Sequence, residues 1–456
     1  MKTHSLFRLS FLLLAPLAFS SISSAESEAT RRLIERNAEF RKEAVKVADG
    51  VYSAVGYRAS TINMIEGDDG IIIVDTGQTP GAAKEALAEF RKLTDKPVKA
   101  IIFTHSHGDH IGGASIFAAE GEDVDVWARE NFGSESGTFS GAGLTIHRPR
   151  GSRQAGALLP ADKKINNGVA PAVPDNHQVR FGKTSEVMPT RTFESGREKL
   201  TIAGVKVELV AVSGETDDAL YVWLPEKKVL FSGDNFYKSW PNAYAIRGTA
   251  YRDIRSWADA NDAMLQEGAE ALVPGHTRPI VGAENVKQAL TDYRDAIRFV
   301  FDKTIEGMNQ GMTPDELVDY VKLPAKLAEK DYLGEYYGNV EWAVRAIFQG
   351  YLGWFDGNPT NLFPLSPKDE AERMAKLAGG KEALLVQARL ALKNNDAQWA
   401  AQLSDQLIAL DPEADEPKLI KADALSALAE ELLTATGRNY YFTVAQELRK
   451  EVETQK

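Results

Sequence analysis

The sequence predicts an α/β domain followed by a helical region. Up to about residue 283, apolar runs of strand length alternate with stretches of helical periodicity, a pattern typical of α/β sheets. Histidine and carboxylate side chains recur directly after the apolar runs, at the strand ends where open α/β sheets place their sites. The rest of the 456 residues shows helical periodicity alone. The length suggests about two or three folding units.

The first 25 residues have the pattern of a secretory signal peptide. Lys2 and Arg8 accompany the apolar run "LSFLLLAPLAF", and the segment ends in small residues at Ala25. We therefore expect a periplasmic or secreted mature chain that starts at Glu26. A lone membrane helix is the alternative, but the apolar run is short for a span. We expect no integral membrane segment in the mature chain.

Strands and helices alternate through the predicted first domain. A charged helical lead-in at about 28 to 47 precedes "GVYSAVGYRASTINMIEGDDGIIIVDTG", in which GDDG forms the turn between two strands. A helix is predicted at about 80 to 94, and "VKAIIFTH" reads as a buried strand. Residues 131 to 198 are rich in Gly, Ser, Pro and Asn, so we expect a long insertion that lies over the domain.

Three further strand patterns follow this insertion, in "KLTIAGVKVELVAVS", "ALYVWLP" and "KKVLFSGD". A helix is predicted at 253 to 267, and "AEALVPGH" is a strand that ends near His276. Beyond about 283 the pattern becomes helical, and the segments after 368 resemble helical hairpins of tetratricopeptide type, with small residues where helices pack closely. We expect a catalytic domain over 26–300 and a packing or oligomerisation module over 301–456.

Composition excludes some classes of protein and restricts the chemistry of any metal site. A net charge of -12 argues against a general partner of nucleic acids or anionic membranes. The 43% apolar and 26% charged fractions are those of a globular protein. Because the chain has no cysteine, a metal ion would have to be bound by His, Asp and Glu.

The segment "IIFTHSHGDHIGGA" contains three of the seven histidines. His105 and His107 are two residues apart, so an extended chain projects both from one face. Asp109 and His110 point elsewhere as the chain turns into a helix, which predicts ligands for a second ion. The alternative is that Asp109 only caps this helix and the histidines are incidental.

Other candidate ligands follow apolar runs elsewhere in the sequence. We expect the first ion to be held by His105, His107 and Glu215. We expect the second to be held by Asp109, His110 and His276, with Asp234 bridging both ions. Asp75 ends another strand and is predicted to orient the histidine loop. His147 and His177 lack such spacing and are interpreted as ordinary loop histidines.

The motif from Thr104 to His110 resembles the THxHxDH signature of the metallo-β-lactamase superfamily. One branch is matched more closely, the alkylsulfatases. The stretches "WPNAYAIRGTAYRD" (240–253) and "YYGNVEWAVRAIFQGYLGWFDGNP" (336–359) resemble blocks of that family. The resemblance implies an αββα metallo-β-lactamase sandwich followed by an all-α dimerisation domain, and a homodimer.

The resemblance also implies an enzyme with two Zn²⁺ per chain that hydrolyses small alkyl sulfates to an alcohol and inorganic sulfate. Glu215 would replace a histidine at the first metal, although Asp217 and Asp218 remain alternatives because the register differs by one residue. Arg247 would clamp the sulfate, with Asn242 and Tyr244 as further donors and Asp109 in a catalytic role. A structural salt bridge is the other interpretation of Arg247.

Two departures from the family and two alternatives bear on this expectation. The sequence stops at Lys456, so we expect the family's usual sterol-carrier-like domain to be lacking, and Ala155 stands where the family tends to carry an aromatic residue. We expect an aromatic stretch to wall a channel for the alkyl tail or to form core and interface; it comprises Tyr332, Tyr336, Tyr337, Trp342, Phe348, Tyr351, Trp354 and Phe355.

The alternative functions are those of another hydrolase of the superfamily, such as a lactonase, β-lactamase or phosphodiesterase, and that of a non-catalytic scaffold.

Overall fold

Two β-sheets packed face to face form the centre of the first part of the protein. The computed structural model describes residues 26–174 and 187–454, so the signal-type segment and His177 lie outside the described residues. The first sheet has its strands in chain order: β1 Glu43–Ala48, β2 Val51–Val55, β3 Ile62–Glu66, β4 Ile71–Val74, β5 Val98–Ile102, β6 Asp125–Arg129 and β7 Arg191–Phe193.

The second sheet has the order β13-β12-β11-β10-β9-β8. Its strands are β8 Arg197–Ile202, β9 Val205–Ala211, β10 Leu220–Leu224, β11 Val229–Gly233, β12 Ala271–Pro274 and β13 Ile280–Val281. In the first sheet the pairs β4/β5, β5/β6 and β6/β7 are parallel, and in the second sheet β11/β12 is parallel. Parallel strands align their carboxyl ends, so the loops that follow them meet at one edge.

Helices cover the outer faces of both sheets. The helices of this part are α1 Glu28–Arg36, α2 Pro80–Phe90, α3 Gly108–Ile111, α4 Ala114–Ala118, α5 Ser134–Gly141, α6 His147–Gln154, α7 Ile254–Gln266 and α8 Ala283–Asn309. Phe90 of α2 packs in one outer core, and Trp257 of α7 packs in the other. Ile72 and Phe231 belong to a third core between the sheets. The layers are therefore αββα, as predicted.

Two predicted segments differ from the structure. The helical lead-in ends at Arg36, and a 3₁₀ turn over Asn37–Phe40 leads into β1. The buried guanidinium of Arg36 donates to the carbonyl of Gly168 at 2.6 Å, a long-range contact that a local pattern does not show. The segment 131–198 is more than a loop, because its described residues include α5, α6, β7 and the start of β8.

The second part of the chain is helical. It contains α9 Pro314–Tyr320, α10 Ala325–Ala328, α11 Val340–Leu352, α12 Pro367–Ala378, α13 Lys381–Lys393, α14 Ala397–Leu410, α15 Asp415–Glu431 and α16 Ala435–Thr454. Buried alanines such as Ala388 and Ala400 let α13 and α14 approach closely. Helix α16 packs on α6, where Asn439 donates to the Gln154 carbonyl at 3.4 Å. In the part of the chain described, no helix has the length and apolar character needed to cross a membrane.

Candidate active site

The candidate site lies where the loops after β5, β11 and β12 converge. The loops can converge because the backbone at Gly112 and Gly113 packs directly against neighbouring backbone. A Cβ added at Gly112 would lie 2.1 Å from the Gln78 carbonyl oxygen, and one at Gly113 would lie 2.1 Å from that of Thr76. A Cβ at Gly275 would likewise lie 2.1 Å from Asp234 Oδ1. Only glycine fits such contacts, so these residues let the ligand loops pack against one another.

Two groups of ligand atoms form the centre of the site. Among the described residues, His105, His107 and Asp234 place one ligand atom each within 4.8 Å of one another. The other group is Asp109, His110 and His276, by the same measure.

Asp234 contacts histidines of both groups. Its Oδ2 lies 3.2 Å from His276 Nε2 and 3.7 Å from His105 Nε2, while its Oδ1 lies 3.3 Å from His110 Nε2. Asp234 therefore lies between the two groups of ligand atoms.

The donor set fits divalent cations. The Nε2 atoms of His105 and His110 and the Oδ1 atom of Asp234 are buried without a hydrogen-bond partner among the described residues. An unsatisfied buried polar atom costs about 1–3 kcal/mol, so three such atoms converging on one place need an explanation. Imidazole nitrogens and carboxylate oxygens are zinc ligands, and bound ions would satisfy all three.

The Nδ1 atoms of two histidines, which face away from the site, donate hydrogen bonds to oxygen atoms of the protein. His110 Nδ1 donates to Asp75 Oδ2 at 2.8 Å, and His276 Nδ1 donates to the Ala59 carbonyl at 2.6 Å. Asp75 is itself held by Thr104, which donates from its hydroxyl at 2.8 Å and from its backbone N–H at 2.9 Å. These bonds leave each Nε2 free to face the site, so Asp75 lies where an orienting residue is expected.

We expect Asp75→Ala to weaken zinc binding by about 10- to 100-fold, because the His110 ring would lose the acceptor that sets its orientation. Competition with a zinc chelator on the folded protein measures this change. Asp69→Ala is the matched control, since the Asp69 side chain is 69% exposed. Equal zinc affinity in the two variants would contradict the orienting role.

Positive and negative charge is divided unevenly among these histidine and carboxylate side chains. Burial, with the neighbouring His110 and His107, holds the pKa of His105 well below its usual range. Burial also acts against a charged His276, but Asp234 outweighs it and raises the pKa of His276 to about 9. Burial would likewise raise the pKa of Asp234, yet His276 and His110 hold that pKa well below its usual range. Metal binding at neutral pH therefore has to displace protons.

Among the described residues, Glu215 belongs to neither group of three ligand atoms, although it interacts with Asp234 and His107. Arg252 Nη1 donates to Glu215 Oε1, and both side chains are buried. Burial raises the pKa of Glu215 to about 7 against the opposing effect of Arg252. Asp234 takes the third place beside His105 and His107. Glu215 Oε2 is nevertheless buried without a hydrogen-bond partner among the described residues.

Asp217 and Asp218, which the sequence leaves as alternatives to Glu215, belong to neither group of ligand atoms among the described residues. Asp217 is exposed, and the Asp218 carboxylate accepts the Thr216 hydroxyl at 2.6 Å and the Gly133 N–H at 3.0 Å. Asp218 therefore has a structural role that ties the start of α5 to the loop before β10.

The proposed clamp residue Arg247 lies in the loop before α7. Its side chain is 25% exposed, and its backbone N–H donates to Gln154 Oε1 at 3.0 Å. Tyr244 is half-buried in the same loop. Asn242 is buried, and its main chain receives a hydrogen bond from Arg252 Nη1 at 2.8 Å and donates one to the Tyr237 hydroxyl at 2.8 Å.

Sequence reasoning assigned no role to two residues at this site, Arg252 and Glu135. Arg252 lies in the quoted block 240–253, five residues after Arg247, so its position in that block was an available signal. Glu135 is on α5, in a segment with weak periodicity, and no sequence pattern marks it. Its Oε2 lies 3.3 Å from His107 Nε2. His147, by contrast, stacks on Phe139 with ring centroids 5.4 Å apart and belongs to neither ligand group.

Comparison with known proteins gives the same arrangement of domains. The family model described as metallo-beta-lactamase superfamily matches residues 55–276, and that described as alkyl sulfatase dimerisation matches residues 313–451. The chain is 39% identical over 400 residues to a linear primary-alkylsulfatase of Pseudomonas sp., covering 86% of this chain and 74% of that protein.

Two further similarities extend over most of the chain. An (R)-specific secondary-alkylsulfatase of Pseudomonas sp. is 32% identical over 421 residues, which are 90% of this chain and 63% of that protein. The solved structure of a stereoselective inverting sec-alkylsulfatase from Pseudomonas sp. superposes with a TM-score of 0.85 at 30% identity, covering 94% of this chain and 69% of that one. The chain thus spans from under two thirds to about three quarters of the length of these relatives. The protein belongs to the alkylsulfatase family of the metallo-β-lactamase superfamily.

Proposed function

We propose that this protein hydrolyses alkyl sulfate esters to an alcohol and inorganic sulfate, using two Zn²⁺ ions per chain. The observation that carries the proposal is the pair of ligand groups that share contacts with Asp234. Their unpaired buried atoms support metal binding, and the names of the relatives support the sulfate ester as substrate.

Each group of ligands would hold one ion. His105, His107 and Asp234 would hold the first, and Asp109, His110 and His276 the second, with Asp234 also facing the second. Bound zinc acts as a Lewis acid and lowers the pKa of water toward about 7. Asp75 keeps the His110 ring in place by accepting from its Nδ1. The Ala59 carbonyl does the same for His276.

Arg247 would bind the sulfate group of the substrate. A sulfate monoester carries one negative charge over several oxygens, and a planar guanidinium that is always charged matches such a group. The acceptor Gln154 Oε1 fixes the backbone from which this side chain extends. Asn242 and Tyr244 lie in the same loop and would add hydrogen bonds to the ester.

The aromatic stretch divides between core, surface and site. Tyr336 and Phe348 are buried in hydrophobic clusters, whereas Trp354 is 71% exposed. Tyr337 packs edge-on against Tyr237 with ring centroids 5.9 Å apart, and Tyr237 packs in the same way on His276. We therefore propose that the alkyl chain leaves the site past Tyr337 and not along the whole stretch.

Sulfate release from a panel of alkyl sulfates of varied chain length and branching tests the proposed function. The zinc-loaded protein should release sulfate from at least one member, and dialysis against a chelator should abolish this release. A lactone, a β-lactam and a phosphodiester are tested separately, as substrates of the alternative activities. Hydrolysis of one of these without any sulfate release would replace the proposal by one of the other activities of the superfamily.

We expect Arg247→Ala to raise KM for an alkyl sulfate by about 10- to 100-fold, because hydrogen bonds to a charged group contribute about 1.5–3 kcal/mol each. Steady-state kinetics with an alkyl sulfate and with a neutral ester of the same chain length measure the effect. Arg148→Ala is the matched control, since Arg148 is an exposed arginine of α6. An equal loss on both esters would assign Arg247 a structural role.

We also propose that the protein forms homodimers and is exported. The match to an alkyl sulfatase dimerisation region over 313–451 supports the first statement, and the pattern of residues 1–25 supports the second. Light scattering of the purified protein and N-terminal sequencing of the processed chain test them separately.

A further inference from the structure

One peptide group in the loop before α7 is held at both of its polar ends by side chains of α6. This peptide joins Ile246 to Arg247. Its carbonyl oxygen accepts from Arg150 Nε at 3.1 Å and from Arg150 Nη2 at 2.6 Å. Its N–H donates to Gln154 Oε1 at 3.0 Å. The two ends of a trans peptide point in opposite directions, so these bonds fix the plane from which the Arg247 side chain starts.

The spacing and burial of Arg150 and Gln154 suit this contact. The two residues are four positions apart on α6, so their side chains lie on one face of the helix. Gln154 is buried and Arg150 is half-buried. A Cβ at Gly151, between them, would lie 3.8 Å from Arg247 Cδ, so the backbone of α6 runs directly beside the Arg247 side chain. The face of α6 that carries Arg150 therefore supports both the backbone and the side chain of Arg247.

Helix α6 is itself held by α16, in the helical part of the chain. Arg153 Nη2 lies 3.0 Å from Glu447 Oε2. The Asn439 side chain donates to the Gln154 carbonyl at 3.4 Å. Gly156, which follows α6, has a φ of 65°, and a Cβ there would lie 2.9 Å from Asn439 Cγ. The contacts with α16 thus fix the position of α6, and α6 fixes the peptide before the proposed sulfate clamp.

We propose that Arg150 is a positioning residue for this clamp, and that with Gln154 it directs the Arg247 guanidinium toward the sulfate group. The proposal rests on the proposed function, because it takes Arg247 as the residue that binds sulfate. Arg247 Nη1 donates to the Gly248 carbonyl at 2.9 Å, so the orientation of this loop also decides where the guanidinium points. A guanidinium that is oriented before the ligand arrives loses less freedom on binding. Arg150 therefore acts on sulfate affinity through Arg247 and not by contact with the ligand.

Binding of inorganic sulfate to the zinc-loaded protein, measured by calorimetry, tests the proposal. We expect Arg150→Met to bind sulfate about tenfold more weakly than the wild type, because the Ile246 carbonyl loses both of its donors from α6. In the Arg247→Ala background the same substitution should cause no further loss, since its effect passes through Arg247. Arg150→Lys keeps the charge and one donor, so its affinity should lie between those of Arg150→Met and the wild type.

Two further variants complete the experiment. Gln154→Leu removes the acceptor of the Arg247 N–H and should also weaken sulfate binding, so it carries the same test if Arg150→Met does not fold. Arg148→Met is the matched control, because Arg148 is an exposed arginine of the same helix. Its sulfate affinity should equal that of the wild type. Far-ultraviolet circular dichroism establishes that each variant is folded.

Three results would overturn the proposal. The first is wild-type affinity in both Arg150→Met and Gln154→Leu. The second is an equal loss from Arg150→Met with and without Arg247, which would mean that Arg150 acts on the ligand by its own charge. The third is a loss in Arg148→Met as large as that in Arg150→Met. Failure of the proposed function would appear differently, as an absence of alkyl sulfate hydrolysis by the wild type while these binding results stand.

Discussion

Replacing Asp234 with alanine is expected to lower sulfate release by about a thousandfold or more, because loss of several kcal/mol of charge stabilisation corresponds to at least that factor. Asp234 has the largest expected effect because, among residues 26–174 and 187–454, it is the one carboxylate that contacts His105, His110 and His276. Its removal would take a ligand from one ion and a neighbouring charge from the other.

Zinc content and initial rates, measured on the same preparations, test this result. The variant should retain less zinc than the wild type, and Asp217→Ala should retain all of it, because Asp217 is an exposed acidic residue of a nearby loop. Asp234→Asn keeps the shape and one oxygen of the side chain but loses its charge. The zinc content of Asp234→Asn should therefore lie between that of Asp234→Ala and that of the wild type. Full zinc content together with wild-type rates in Asp234→Ala would refute the shared-ligand role.

Replacing Arg252 with alanine is expected to lower the free energy of unfolding by about 3–5 kcal/mol, since breaking a buried ion pair leaves an uncompensated charge. Arg252 and Glu215 are both buried, and the same Nη1 also donates to the Asn242 carbonyl. The variant therefore leaves a carboxylate and a backbone acceptor without their donor.

Urea unfolding of the metal-free protein, followed by far-ultraviolet circular dichroism, measures this difference. Arg255→Ala is the control, because Arg255 is exposed in the first turn of α7. Adding Glu215→Gln to Arg252→Ala should recover part of the loss, as the buried charge is then gone. A loss for Arg252→Ala no larger than that for Arg255→Ala would show that the buried pair contributes little.

Much of the fold was predictable because its elements are long and strongly patterned. The apolar run before His105 forms β5, and the helix predicted at 253 to 267 is α7 at Ile254–Gln266. In such segments the burial of one face decides the structure locally. The lead-in after Arg36 and the segment 131–198 were not predicted correctly, because long-range contacts and weak helices decide their conformation.

The candidate site likewise contains residues that local sequence pattern predicts and residues that long-range contacts bring together. His105, His107, Asp109 and His110 lie within six positions, so strand and turn geometry alone predict two neighbouring groups of ligands on one loop. Asp234 and His276 were found because strands of one sheet end at a common edge. The resemblance to alkylsulfatases added Arg247 and the expected substrate.

The sequence by itself determined the α/β class, the ligand residue types and the loop that carries three histidines, because those properties depend on local pattern and composition. Only the tertiary structure decided that Asp234 stands beside His105 and His107, that Glu215 pairs with Arg252, and that Glu135 reaches into the site. Those contacts join segments far apart in the chain. Their distances follow from sheet packing and from the position of α5, which no pattern of neighbouring residues specifies.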